Sequence, residues 1–153
     1  MRYRLLGRSG LLVSEICLGT MTYGGKGRWQ PIGQLGIAEV EGQIKAAVDA
    51  GINFIDTANV YSEGDSETLV GQALKNLELP REEVVIASKV RVRMGPGPNQ
   101  VGLSRGHIMD GVHASLRRLQ LDHLDLYRIH GQDLATPMEE TLRALEDLIR
   151  SGK

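Results

Sequence analysis

The sequence predicts an α/β fold in which short buried strands alternate with amphipathic helices. Four apolar runs lack polar alternation, which is typical of parallel strands buried on both faces. They are Ile16–Leu18, Ile52–Ile55, Val84–Ala87 and Leu124–Tyr127. The corresponding strand ends fall near Gly19, Asp56, Lys89 and His130. These ends are 37, 33 and 41 residues apart, which fits a (β/α)8 barrel, where each unit takes about 31 residues or more.

The first elements follow from turn residues and apolar periodicity. Gly7 to Gly10 lie between two short apolar stretches, which predicts the turn of an N-terminal hairpin. Helices are predicted over 37–50 and 66–77. Glycine and proline predict long loops over 24–36 and 95–102, after the first and third strands.

The last two helices carry start signals. Ser104 is an N-cap residue for a helix with an apolar side formed by Ile108, Val112, Leu116 and Leu119. Thr136, Pro137 and Glu139 predict an N-cap, a first helical residue and a capping-box acid. The apolar residues that follow at helical spacing are Met138, Leu142, Leu145, Leu148 and Ile149. Gly152 is expected to end this helix.

The element order is therefore a hairpin followed by four strand–helix units, with right-handed crossovers between parallel strands. Two architectures have this order: an open doubly wound sheet, and a (β/α)8 barrel of which residues 1–153 would form half. The strand spacing fits the barrel. No change of composition marks a boundary inside 1–153, so we expect one unit without internal division.

Composition excludes several classes of protein. The net charge of −1 gives no basic footprint for nucleic acid or an anionic membrane surface. No apolar run could span a membrane and no secretory signal is present, so we expect a cytoplasmic protein. The single cysteine, Cys17, is expected in the core rather than as a nucleophile. We expect no metal site, because His107, His113 and His123 lack ligand spacing and are predicted to be exposed.

Polar side chains follow the apolar runs at the strand ends, where parallel α/β folds build their sites. Asp56, Lys89 and His130 end three successive strands, and Tyr61 lies five positions after Asp56. Each also has an ordinary structural interpretation: Asp56 could start a turn, Lys89 could extend to solvent, and His130 could be bonded at a strand exit. Their equivalent positions favour convergence over one mouth of the fold.

Strand parity adds Arg128 to this region. Arg128 lies two residues before His130, so an inward His130 directs a guanidinium toward the interior as well. Two arrangements remain open: a partner that compensates the charge, or a local bulge that turns Arg128 away.

Several segments together match the pattern of one known family. They are Gly51–Ser62 with its continuation Gly64–Glu67, the strand segments Ala87–Val90 and Asp125–His130, and the N-terminal Leu6–Gly10 and Leu18–Met21. On these segments the sequence resembles the aldo-keto reductases, and most closely their bacterial and potassium-channel β-subunit-like branch. The resemblance covers essentially all of the chain.

The resemblance implies an NADP(H)-dependent reductase of aldehydes and ketones on a (β/α)8 TIM barrel. The nicotinamide supplies the hydride, and the protein must supply a proton and the geometry. Tyr61 would be the general acid, because the ammonium of Lys89 favours the phenolate and makes the tyrosine a better proton donor. Asp56 would keep Lys89 charged and oriented, and His130 would hydrogen-bond the substrate oxygen.

The resemblance also implies binding residues around the first strand. The residues expected to contact the nicotinamide end of the cofactor are Gly19, Thr20 and Met21, together with Asp56. Tyr23 and Trp29, in the loop that follows, either line the pocket for a small carbonyl substrate or cover an edge of the core.

The sequence ends at Lys153, where the resemblance would enter a fifth strand. We therefore expect groups for the adenosine and 2′-phosphate end of the cofactor to lie outside residues 1–153. A half-barrel has two unpaired strand edges, so we expect a truncated fragment, or a half that pairs with a complementing half or a second copy. Two functions remain open: a reductase active when complete, and a catalytically silent module that senses nucleotide or binds a partner.

Overall fold

The computed structural model describes residues 1–153. An antiparallel hairpin of β1 (Tyr3–Leu5) and β2 (Leu12–Ser14) comes first, as the turn residues predict. The strands of the parallel sheet are β3 (Leu18–Gly19), β4 (Phe54–Asp56), β5 (Val85–Val90) and β6 (Leu126–Ile129). The helices are α1 (Ile37–Asp49), α2 (Asp65–Asn76), α3 (Arg105–Leu119) and α4 (Met138–Arg150). None of these helices has the length and apolar character that crossing a bilayer requires.

The order of the strands decides between the two predicted architectures. The parallel sheet runs β3-β4-β5-β6, and α1 to α4 pack against one another in the same order. An open doubly wound sheet reverses its strand order at a switch point, and this sheet has no reversal. The sheet and its helices therefore form about half of a (β/α)8 barrel.

The core lies between the sheet and the helices. All six residues of β5 are buried, because this strand has a neighbour on each side and helices over one face. Ile55 on β4 and Ile86 on β5 belong to one buried apolar cluster with Val40, Ile44, Val70, Ile108 and Val112 from α1 to α3. The strands are thus held where their carboxyl ends align.

All four helices end in the same backbone motif. A residue with positive φ follows each helix, and its amide and the next one bond carbonyls of the last turns, as in a Schellman cap. Glycine holds this position at Gly51 and at Gly152, which confirms the expected end of the last helix. Glu78 and Gln120 hold it after α2 and α3 at φ 51° and 58°, where a side chain costs roughly 1 kcal/mol.

The start of α4 differs from its prediction. Thr136 does not cap the helix, because its hydroxyl donates to Asp133 Oδ2 at 2.7 Å and Pro137 takes the N-cap position. Glu139 therefore has no capping box to complete. Ser104, by contrast, caps α3 as predicted, and its hydroxyl oxygen accepts a bond from the His107 amide at 3.3 Å.

Cys17 and His107 have environments opposite to those expected. Cys17 lies just before β3 and is exposed, because β3 is short and forms an edge of the sheet. The core prediction for Cys17 is wrong for this reason. His107, expected at the surface, is buried in the first turn of α3, and this burial lowers the pKa of its imidazole. His113, further along the same helix, is exposed as expected.

Candidate active site

The four candidate catalytic residues lie at one edge of the parallel sheet. Asp56 is the last residue of β4, Lys89 is the fifth residue of β5, and His130 follows β6 directly. The strands pair in parallel, so their carboxyl ends lie side by side. Tyr61 opens the short 3-10 turn between β4 and α2. The fold thus brings together the residues that the sequence pattern singled out.

The ammonium of Lys89 is the centre of the cluster. Its Nζ donates to Asp56 Oδ2 at 2.7 Å, to the carbonyl oxygen of Thr57 at 2.8 Å and to the hydroxyl of Tyr61 at 3.1 Å. An ammonium has three N–H donors, so each of them has one partner. Lys89 is only 6% exposed, and burial of a cation requires such compensation. Because Tyr61 accepts from Lys89, its own proton is free for another acceptor.

Two further rings lie against Tyr61. The ring centroid of His130 is 5.7 Å from that of Tyr61, with the planes at 80°, and Trp29 lies at 5.5 Å with the planes at 68°. Both are edge-to-face contacts of the kind that stabilise aromatic pairs. They limit the orientations open to the phenol ring.

The surroundings of His130 favour the neutral form of its imidazole. Burial is the main cause that lowers its pKa, and the charges of Lys89, Arg128 and Arg91 act in the same direction against the opposing effect of Asp56. Its Nδ1 is buried without a hydrogen-bond partner in the chain. The other ring nitrogen, Nε2, makes no hydrogen bond within the chain and is not among the buried unpaired atoms, so it is the atom through which the ring can bind a further polar group.

Arg128 has a partner that compensates its charge, which is one of the two arrangements that strand parity allows. Its guanidinium pairs with Asp56 Oδ1, so a partner is present and no bulge is needed. Asp56 therefore shares its two oxygens between Lys89 and Arg128. The sequence indicated the direction of Arg128 through its position in β6, but the identity of the partner required the register of three strands.

The turn after Tyr61 has an unusual backbone. Ser62 and Glu63 have φ values of 49° and 58°, and Gly64 follows at 95°. Non-glycine residues in this region cost of order 1 kcal/mol or more each, and such conformations persist where surrounding contacts fix them. One contact is the Ser62 hydroxyl, which donates to the Tyr23 carbonyl oxygen at 2.7 Å. Sequence analysis missed this feature, since neither Ser62 nor Glu63 signals a positive φ.

The residues expected at the nicotinamide differ in accessibility. Gly19 and Met21 are exposed at the end of β3, and nothing lies within 4 Å of the position that a side chain would take at Gly19. Thr20 has no exposed surface: its amide donates to the Asp56 carbonyl oxygen, and its hydroxyl lies 2.9 Å from that of Ser66. This burial disfavours a cofactor contact through the Thr20 side chain, whereas Gly19 and Met21 are accessible; the cofactor contacts of all three stay predictions.

The two loop aromatics also differ. Tyr23 is fully buried, and burial raises the pKa of its hydroxyl to about 12. Of the two alternatives for Tyr23, its place in the core cluster favours covering the core over lining a substrate pocket. Trp29 is only partly buried and lies against Tyr61, at the site itself. No group of three His, Cys, Asp or Glu side chains is arranged to hold a metal ion.

The fold and the site together define a class of protein: a half of a (β/α)8 barrel with a lysine, an aspartate, a tyrosine and a histidine converging at the carboxyl ends of its strands. The family model described as "Aldo/keto reductase family" matches residues 15–153. The chain belongs to the aldo-keto reductase family, as the resemblance of its sequence segments predicted.

The relatives have names of two kinds, potassium channel β subunits and reductases. The "Probable voltage-gated potassium channel subunit beta" of Oryza sativa subsp. japonica is 42% identical over 153 residues, which cover 99% of this chain and 44% of the relative. The "Versiconal hemiacetal acetate reductase" of Aspergillus parasiticus is 42% identical over 170 residues, covering 100% of this chain and 49% of the relative. The chain thus spans about half the length of these relatives.

A solved structure has the same fold. The holo form of aldo-keto reductase AKR11C1 from Bacillus halodurans superposes with a TM-score of 0.83 at 35% sequence identity. The match covers 99% of this chain and 47% of that one. The strand order and helix packing described above are therefore those of the corresponding half of a complete barrel.

Proposed function

We propose that this chain supplies the catalytic half of an NADP(H)-dependent reductase of aldehydes and ketones. One observation carries the proposal: the Lys89 ammonium bonds both the Asp56 carboxylate and the Tyr61 hydroxyl, at 2.7 and 3.1 Å. A phenol polarised by a buried cation is a proton donor suited to a developing alkoxide. Residues 1–153 would form one half of a single barrel domain.

Each residue has a role that its contacts support. Tyr61 would donate its proton to the substrate oxygen, because that proton is free while the oxygen accepts from Lys89. Lys89 would stabilise the phenolate that remains, and Asp56 would hold the ammonium in place. His130, whose pKa is lowered mainly by burial, would orient the carbonyl through a hydrogen bond from its ring N–H. When bound, the reduced nicotinamide supplies the hydride.

The end of β3 fits the nicotinamide part of such a cofactor. Gly19 has no side chain and has open space around it, so a flat ring can approach the strand closely. Met21 is exposed beside it and offers an apolar surface. Gly19 and Met21 would therefore contact the nicotinamide end, with Asp56 nearby. The unpaired cysteine, Cys17, suits a reducing compartment, and we propose a cytoplasmic location.

The proposal predicts that Tyr61→Phe abolishes turnover. The measurement is NADPH consumption with a reactive aldehyde such as a nitrobenzaldehyde. Removing a general acid lowers the rate by about 100-fold or more, and we expect NADPH binding to persist in the variant. Tyr127→Phe is the matched control, because it also removes one phenolic hydroxyl, which here is buried without a partner. Equal rates in Tyr61→Phe and the unmodified chain would contradict the proposal.

A second candidate function is a catalytically silent module that senses nucleotide or binds a partner. The 42% identity to a protein named as a potassium channel β subunit favours it. The same assay separates the candidates, since this module would bind NADPH without any turnover that depends on Tyr61.

We also propose that the half-barrel pairs with a complementing half or a second copy. Its support is the exposed apolar side of α4, with Met138, Leu142 and Ile149, together with the unpaired edge of β6. Light scattering across a dilution series tests this: a monomer at all concentrations would exclude pairing with a second copy.

A further inference from the structure

A cleft of about 400 Å³ adjoins the turn that carries Tyr61. The lining residues are Arg28, Val60, Glu63, Arg93, Met94 and Gly95. They come from the loops after β3, β4 and β5, so the cleft lies on the same side of the sheet as the candidate active site. Val60 and Glu63 belong to the same turn as Tyr61, which itself does not line the cleft.

Three charged side chains in this cleft lack an ionic partner. Arg28, Arg93 and Glu63 take part in none of the ion pairs of the chain. Arg93 is nevertheless anchored, because its Nη1 donates to the carbonyl oxygens of Gly95 at 3.0 Å and Gly97 at 2.7 Å. Two guanidiniums and one carboxylate give the cleft a positive balance in a chain of net charge −1.

The loops around the cleft pack closely on one another. Glu63 reaches over Gly27, where a Cβ would lie 2.2 Å from Glu63 Oε1, so a side chain at that position would collide with the carboxylate. The Arg28 guanidinium lies 5.6 Å from the centre of the Trp29 ring, and Trp29 contacts Tyr61 at 5.5 Å. Trp29 thus contacts both Arg28 of the cleft and the phenol ring of Tyr61.

We propose that this cleft binds an anionic group of the carbonyl substrate, a carboxylate held by Arg28 and Arg93. This inference rests on the proposed reductase function. Guanidinium groups bind carboxylates through charge-assisted hydrogen bonds, and the ends of Arg28 and the Nη2 of Arg93 are free to make them. Glu63 opposes the anion electrostatically, so it limits the affinity of the cleft for a carboxylate. Guanidinium groups also bind the phosphate of a nucleotide, so the experiment has to distinguish a substrate carboxylate from a nucleotide phosphate.

Trp29 makes the test direct, because it is the only tryptophan of the chain. Its fluorescence is titrated with succinate semialdehyde, which carries a carboxylate, and with butanal, which does not. We expect the anionic aldehyde to bind about tenfold more tightly or better, the range of charge-assisted hydrogen bonds. Arg93→Gln should weaken its binding about tenfold and Glu63→Gln should tighten it several-fold, since removal of a like charge favours the anion. Arg28→Gln should also weaken binding. Because Arg28 lies against the Trp29 ring, this variant is titrated by calorimetry instead of fluorescence.

Arg8→Gln is the matched control, because Arg8 is exposed in the hairpin loop without a partner and carries the same charge. It should leave binding unchanged. Equal weakening by Arg8→Gln and Arg93→Gln, or equal affinity for butanal, would overturn the proposal. Displacement of succinate semialdehyde by adenosine 2′,5′-bisphosphate would also overturn it, since the cleft would then bind a nucleotide phosphate. Binding is measured without cofactor or turnover. If the chain is not a reductase, the titration can therefore still show whether the cleft binds a carboxylate.

Discussion

The third and fourth strand–helix units of this chain have the same sequence pattern and different surroundings. In the third, β5 is buried along its whole length and the apolar residues Ile108, Val112 and Leu116 of α3 are all buried. In the fourth, β6 pairs on one side only, and Leu142 and Ile149 of α4 are 57% and 77% exposed. An apolar stripe at helical spacing thus predicts which side of a helix can be buried. Whether that side is buried depends on the elements that lie next to the helix.

The largest expected effect comes from truncating one leucine in each unit. Leu116→Ala should lower the free energy of unfolding by about 2–5 kcal/mol, because it opens a cavity in the core. Leu142→Ala, the same change on an exposed surface, should stay within about 0.5 kcal/mol. Chemical denaturation of both variants measures the difference. Similar losses would mean that the side of α4 with Leu142 is covered in solution, as pairing with another half requires.

A second prediction concerns the close contact between α2 and the end of α3. A Cβ at Gly71 would lie 2.4 Å from the Leu119 carbonyl oxygen, so Gly71→Ala must push two helices apart. We expect a loss of about 1–3 kcal/mol in the free energy of unfolding.

Gly42→Ala on α1 is the control for Gly71→Ala. It meets nothing within 4 Å and should stabilise the chain by about 0.5–1 kcal/mol through helix propensity. The two substitutions should therefore change the denaturation midpoint in opposite directions. A gain at both positions would show that the helices separate without cost.

The smallest expected effect distinguishes two histidines on α3. Burial lowers the pKa of His107 below its usual 6.5, so the unfolded chain binds more protons as the pH falls through that value. The free energy of unfolding should then decrease below about pH 6.5, by at most about 1.4 kcal/mol per pH unit for one group. His130 acts in the same direction.

Denaturation at a series of pH values tests this dependence. His107→Gln should flatten it, whereas His113→Gln, at an exposed position of the same helix, should leave it unchanged. An equal effect of both substitutions would show that His107 is not buried in solution.

Local signals predicted the elements and placed three polar residues at neighbouring strand ends, while the catalytic roles of these residues and of Tyr61 rest on the family resemblance and stay predictions. Strand ends after apolar runs identified Asp56, Lys89 and His130, and Ser104 capped α3 as its type suggested. These features need only a few neighbouring residues and the direction of a strand.

Other predictions from local patterns meet competing contacts in the structure. Thr136 bonds Asp133 instead of a helix amide, and the hydroxyl of Thr20 lies against that of Ser66, 46 residues away. Tyr23 is buried as its loop packs on the core, and its carbonyl accepts from Ser62. Such partners compete with local preferences, and no periodicity or cap signal contains them.

The carboxylate of Asp56 joins three strands at once. It belongs to β4, and its oxygens bond Lys89 from β5 and Arg128 from β6. A slip of β6 by one residue would turn Arg128 to the opposite face of the sheet and leave Asp56 with one cation. A misaligned sheet would therefore lose one ion pair at the candidate active site, so the charges of this site also favour a single register of β6.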